Sequence, residues 1–142
     1  MTKLMLKQQL KVRTLCEQVN PSYHFEFEND WMMNVKADDA HFPLVYFEEY
    51  TDGRFNVAYG LKKSVMVELH LFRLTPMHGS AVEREQAREQ IEEEFVLPFI
   101  KAVNASGHFE QIEEFTCLPE PTMFDANATG VLLRFWVTYR VC

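Results

Sequence analysis

The side chains with most chemical capacity in this sequence stand two residues apart in alternating polar and apolar runs. His24, Glu26 and Glu28 share one side of one run, and Glu68 and His70 share one side of another. Paired as strands, the two runs would bring imidazole and carboxylate donors of metal-ligand type together. Any solvated sheet face also displays polar residues at period two, and that solvated face, with no metal and no cofactor, is the expectation. An enzymatic reading would require His24, Glu26, His70 and Asp125 to converge in one pocket. No serine sits in a Gly-x-Ser-x-Gly elbow, and Cys16, Cys117 and Cys142 show neither metal-ligand spacing nor a thiol-catalysis signature. Cys16 falls on the apolar arc of a helix and reads as core, whereas Cys117 reads as accessible with no perturbing partner. Gly53, Gly60, Gly79, Gly107 and Gly130 are too scattered to cradle a phosphate. Met32, Met33, Met66, Met77 and Met123 are dispersed as core filling rather than clustered as a binding surface. No catalytic residue is assigned, and the chain is expected not to be an enzyme.

The 142 residues suit a single globular domain, 1–142. With 47% apolar and 25% charged residues the composition is that of a folded chain, not a disordered one. The most apolar stretch, Gly130 to Val141, is interrupted by Arg134 and Arg140, so no membrane-spanning helix is expected. The first residues lack the apolar run of a secretory leader, and three cysteines suit reduced thiols in a cytosol. A net charge of −7 argues against nucleic-acid recognition, which needs clustered Lys and Arg.

The elements follow from periodicity. Thr2 to Val19 reads as a helix with Leu4, Met5, Val12, Leu15, Cys16 and Val19 on one arc. Lys3, Lys7 and Lys11 form a second stripe, and Leu6 and Leu10 stand outside the core arc, as scattered surface leucines or as a subunit contact. Tyr23 to Glu28 and Phe42 to Phe47 read as strands, with Pro43 suiting a strand start or an edge. A polar turn through Glu48, Glu49 and Asp52-Gly53 leads to Lys62 to Leu74, a central antiparallel strand. Ser80-Ala81-Val82-Glu83 is a capping box opening a long helix with a buried stripe of Ala87, Ile91, Phe95, Phe99 and Ala102. Pro98 predicts a kink or break, and Asn104 to Gly107 the stop. Phe109 to Cys117 reads as a short strand, Leu118 to Gly130 as a turn-rich loop, and Val131 to Val141 as the last strand. The fold class is α+β, a mostly antiparallel sheet of four to six strands with two main helices packed on one face.

In that order the leading helix, the strand Phe42-Pro43-Leu44-Val45-Tyr46-Phe47, the long strand ending in Leu69-His70-Leu71-Phe72, the glutamate-rich helix and the closing Phe124-Asp125-Ala126-Asn127-Ala128-Thr129-Gly130-Val131 resemble small tail-completion proteins of phages and prophages. The resemblance is to the tail-terminator type and is most evident from Phe42 to Val137. It implies a non-catalytic α/β protein that assembles as rings capping the tail tube. It further implies a homo-oligomer, contacts with tail-tube or head–tail connector proteins, and passage from host cytoplasm during assembly to the virion tail. On this reading Gly130 permits an abrupt turn into the last strand, braced by Asp125 and Asn127. Leu6 and Leu10, with Lys3, Lys7 and Lys11, meet a neighbouring subunit.

A head-to-tail ring needs two different complementary patches. The chain offers +4 through Arg13 at its start and, between Glu83 and Glu94, six Glu against two Arg, with Glu89, Glu92 and Glu93 as candidate contacts. A net acidic ring would also repel DNA passing through its lumen. Two alternatives stay open: an unrelated non-catalytic adaptor or assembly subunit, and a small-ligand or metal-binding enzyme. The segments Ala37 to His41 and Pro119 to Thr129 are polar and turn-rich, of the kind that orders on assembly.

Overall fold

The computed structural model describes residues 7–27, 42–48, 52–58, 60–74, 80–120 and 128–141. The order is α1 (Lys7–Val19), β1 (His24–Phe27), β2 (Leu44–Phe47), β3 (Gly53–Asn56), β4 (Lys62–Leu74), α2 (Ala81–Ile91), a π-helical turn (Glu92–Val96), α3 (Leu97–Ala105), β5 (Thr116–Glu120) and β6 (Ala128–Arg140). The fold is α+β: a six-stranded sheet in the order β1-β2-β4-β6-β5, with β3 also paired to β4. All pairs are antiparallel except β1 with β2. The centre is the thirteen-residue ladder of β4 on β6, from Lys62↔Arg140 to Leu74↔Ala128. No helix among the described residues is long and apolar enough to cross a membrane.

Alternation sorts the sheet into two faces. One carries Val65, Val67, Leu69 and Leu71 of β4 and Val131, Leu133, Phe135 and Val137 of β6, all buried in the main core. Both helices cover it: α1 contributes Val12, Leu15 and Cys16, and the long helix contributes Ile91, Phe95, Phe99 and Val103. Burial pushes the Cys16 thiol pKa far up, so Cys16 is an inert apolar filler. Ala87 and Ala102, expected in the stripe, are half-buried. Phe rings touch in series along this seam, with Phe99 stacked on Phe95 at 5.7 Å and tilted against Phe135 at 5.6 Å, and Phe115 tilted against Phe135 at 5.0 Å.

Several local expectations are revised. Pro43 immediately precedes β2 in a cis peptide, in keeping with the strand-start alternative, while β2 itself lies between β1 and β4 and not at an edge. The turn expected at Asp52-Gly53 starts a strand, β3, that pairs with Lys62 to Val65. Phe109 to Thr116 is mostly irregular, and strand β5 comprises Thr116 to Glu120, so Leu118-Pro119-Glu120 is strand and not loop. Pro119 is compatible because β5 is an edge strand, where one missing N–H donor need not break a ladder. Ser80 caps α2 by accepting from the Glu83 N–H at 3.2 Å, as the capping box requires.

Pro98 is accommodated without a sharp break. Its missing N–H would have bonded the Glu94 carbonyl four residues back; instead, the helix widens just before it, and the Leu97 N–H bonds the Glu92 carbonyl. The Glu94 carbonyl accepts from Asn20 Nδ2 at 3.3 Å. The Glu94 carboxylate then gathers Arg73 Nη1 at 2.7 Å, Tyr23 Oη at 3.2 Å and Gln90 Nε2 at 2.7 Å. The wide turn thereby ties the end of α1, through the Glu94 carbonyl, and the entry to β1 and the end of β4, through the Glu94 carboxylate, to one residue.

Tyr23 registers that lock. Burial lifts its phenol pKa from 10.0 to about 12, aided by the Glu94 charge and opposed by Arg73. A raised folded-state pKa gives stability that is complete below the unfolded value of 10.0 and is lost as pH rises through about 12. Tyr23→Phe is expected to flatten the fall in stability across that window, measured by urea unfolding at successive pH values. An unchanged slope would show that Tyr23 ionises freely in the folded protein.

Candidate functional site

On the sheet face turned away from the helices, the rows of the ladder bring ionisable groups together. Tyr46 of β2, His70 of β4 and Leu132 of β6 form one row. Glu68 of β4 and Arg134 of β6 form the next, and Glu48, just past β2, joins it through its N–H to the Glu68 carbonyl at 3.2 Å. Glu120 at the end of β5 stands opposite Gly130, which stands opposite Phe72.

His70 is the hub. Its Nδ1 is hydrogen-bonded to Glu120 Oε1, and its Nε2 lies 2.9 Å from Glu48 Oε2. Glu68 is held by Arg134 Nη2 at 3.4 Å. One ligand atom from each of Glu48, Glu68 and His70 lies within 4.8 Å of the others. Tyr46 walls the cluster, its ring meeting the imidazole edge-on at 5.9 Å. Glu68, His70 and Glu120 are 7–8% exposed, whereas the Glu48 side chain is 28% exposed and forms the solvent side of the cluster. Burial favours the neutral imidazole, but the Glu120 and Glu48 carboxylates outweigh it, so the His70 pKa is raised.

Gly130 makes this geometry sterically feasible. It was expected at a turn but is the third residue of β6, with no positive φ. A Cβ there would lie 2.5 and 2.7 Å from two Phe72 ring carbons and closer still to the Leu71 carbonyl oxygen. The Phe72 ring occupies that gap. Arg88 of α2 reaches the same spot, donating from Nε to the Gly130 carbonyl at 3.3 Å and from Nη2 to the Glu120 carbonyl at 3.5 Å.

The solvated-face expectation is therefore corrected for Glu68 and His70, both buried beside the apolar cluster of Leu44, Tyr46, Phe72 and Ala128. The four residues named for an enzymatic pocket do not assemble among the described residues. His24 pairs with Glu26 at 2.6 Å on β1, and Glu26 is separated from His70 by the Tyr46 strand. Glu28, Asp125, Asn127, Leu6 and Lys3 lie outside the described residues. Glu48 and Glu120 were not singled out from sequence: one follows a strand, and the other sits in a stretch whose prolines suggest a loop. Cys117 is exposed, and its thiol pKa is raised by partial burial and by Glu92, 3.9 Å away, opposite to an activated nucleophile.

Away from the cluster, Lys7 and Leu10 are exposed and Lys11 is half-buried, while Glu89, Glu92 and Glu93 are all exposed. Beyond the reach of the helices, the far end of the sheet carries a second feature. Phe55 of β3 is paired with Lys63, and Leu61 binds Val141 backbone to backbone at 3.1 Å. Phe55 and Val57 are 64% and 75% exposed, and Leu61 and Val141 lie beside them, also exposed. Lys63 approaches the Phe55 ring at 5.5 Å and puts a basic group at the patch, whereas Arg54, on the opposite face of the sheet, stacks over Trp136 at 4.6 Å. Comparison with protein-family models and with curated proteins returns no match for this chain.

Proposed function

We propose that this chain is a non-catalytic structural subunit of a phage or prophage tail, of the tail-terminator or tail-completion type. It acts by self-association and by contacts with tail-tube or connector proteins, in the host cytoplasm during assembly and then in the virion tail. The observation that carries the reading is the apolar end of the sheet at Phe55, Val57, Leu61 and Val141. Burying a large apolar side chain contributes about 1.5–3 kcal/mol, and a cluster of such exposed groups marks a contact surface.

A second copy is the occupant that charge favours. The outer side of the long helix exposes Glu85, Glu89 and Glu93 between exposed Val82 and Leu97. An acidic stripe with apolar ends matches an apolar patch that carries Lys63, and two different patches on each subunit allow a head-to-tail contact that closes into a ring. Lys7 and Leu10 are also exposed, on α1.

Sedimentation velocity tests this. The wild-type chain is expected to sediment as a closed oligomer at low salt, and Phe55→Glu combined with Val57→Asp is expected to give a monomer with unchanged circular dichroism. A wild-type chain that stays monomeric at high concentration and low salt would overturn the proposal.

A further inference from the structure

We propose that Glu48, Glu68 and His70 form a binding site for one divalent transition-metal ion, with Glu120 orienting the histidine. The site is independent of the assembly reading. One imidazole nitrogen and two carboxylates make a mixed nitrogen and oxygen donor set. Such a set suits Zn²⁺, Mn²⁺ or Co²⁺ and is unlike the all-oxygen cages of Ca²⁺ and Mg²⁺.

Geometry supports the assignment from three directions. In a tetrahedral site with bonds of about 2.1 Å, ligand atoms stand roughly 3.4 Å apart. Here Nε2 and Glu48 Oε2 are 2.9 Å apart and one ligand atom from each of the three residues falls within 4.8 Å of the others, close to the spacing around one shared ion. The donors come from rigid positions: Glu68 and His70 are two apart on the central strand, and Glu48 is pinned to Glu68 by its backbone N–H. Finally, Glu120 takes the far ring nitrogen, Nδ1. Metal-binding histidines are aimed in this way, by a carboxylate on the nitrogen that does not ligate.

Charge points the same way. Glu48 and Glu120 converge on the His70 imidazole, Glu68 is held by Arg134, and Glu68, His70 and Glu120 are nearly excluded from water. Carboxylates held away from water are costly, and a dication bound between His70, Glu48 and Glu68 would lower that cost. The partly exposed Glu48 provides the way in.

The test is calorimetric titration of the untagged, chelator-treated full chain with Zn²⁺, and separately with Mn²⁺, alongside thermal melts. One ion per chain is expected, with a dissociation constant for Zn²⁺ on the order of micromolar and a rise in melting temperature on saturation. Glu120→Gln should keep the stoichiometry and weaken binding about 10–100-fold. Glu48→Gln, at the most exposed ligand, should weaken it at least as much while the fold is retained. Co²⁺ bound in the wild-type chain should show visible d–d bands that Glu48→Gln alters. The absence of saturable heat with either metal would overturn the proposal. So would affinity unchanged in Glu48→Gln and in His70→Gln, which would place the ion elsewhere.

Discussion

Gly130→Ala is expected to lower the midpoint of thermal unfolding by roughly 10 °C. The added methyl meets the Leu71 carbonyl, which is part of the central ladder, and the Phe72 ring, which is fully buried. Neither can retreat cheaply. Backbone displacement would strain the β4 to β6 pairing at Phe72↔Gly130, and moving the ring would disturb its packing with Leu44, Tyr46 and Ala128. Overpacking of this kind costs about 3 kcal/mol, a large share of a total stability of about 5–15 kcal/mol. Differential scanning calorimetry checks it, with Gly53→Ala as the control. A Cβ at Gly53 meets only ordinary contacts beginning at 3.7 Å. A Gly130→Ala protein as stable as that control would show that the ring has room to move.

Phe99→Ala is expected to cost about 4 kcal/mol. Phe99 lies in α3 with no exposed surface and links Phe95 of the π-helical turn to Phe135 of β6. Truncation removes buried area, leaves a cavity between helix and sheet, and breaks two ring contacts. The surrounding frame is held by the β4 to β6 ladder and by the Glu94 lock, so collapse into the cavity is limited, and the cost falls at the high end of the range for such substitutions. Urea unfolding measures it directly. Phe99→Leu should recover most of the loss because it refills most of the volume. A cost below about 1.5 kcal/mol for Phe99→Ala would mean that the seam repacks freely.

The parts of the fold legible in the sequence are those with long, unbroken periodicity. Lys62 to Leu74 alternates over thirteen residues and is β4 with those bounds, and the capping box at Ser80 begins the long helix. Short elements escaped notice. β3 is four residues, all exposed, so no apolar alternation announced it, and β5 contains a proline that an edge position tolerates. Pro98 signalled a disturbance, but the orphaned Glu94 carbonyl is taken up by Asn20, seventy-four residues before Glu94.

The candidate metal cluster was half legible. Glu68 and His70 stood out by spacing, but their burial did not, because it depends on neighbours from other strands. Glu48 and Glu120 become partners of His70 through register alone: one by an N–H to the Glu68 carbonyl, the other by lying across a glycine from Phe72. No local pattern encodes either contact.

The longest ladder in the molecule joins residues far apart along the chain: Lys62 meets Arg140, 78 positions later, and Leu74 meets Ala128, 54 positions later. Pairing at such separation must close a large loop before any rung rewards it, which slows folding. During synthesis the helices and β2 to β4 would leave the ribosome with the apolar flank of β4 still waiting for its mate. A nascent chain at that stage is an aggregation hazard that chaperone capture would relieve, and the sheet acquires its middle only after residue 128 and its successors have emerged.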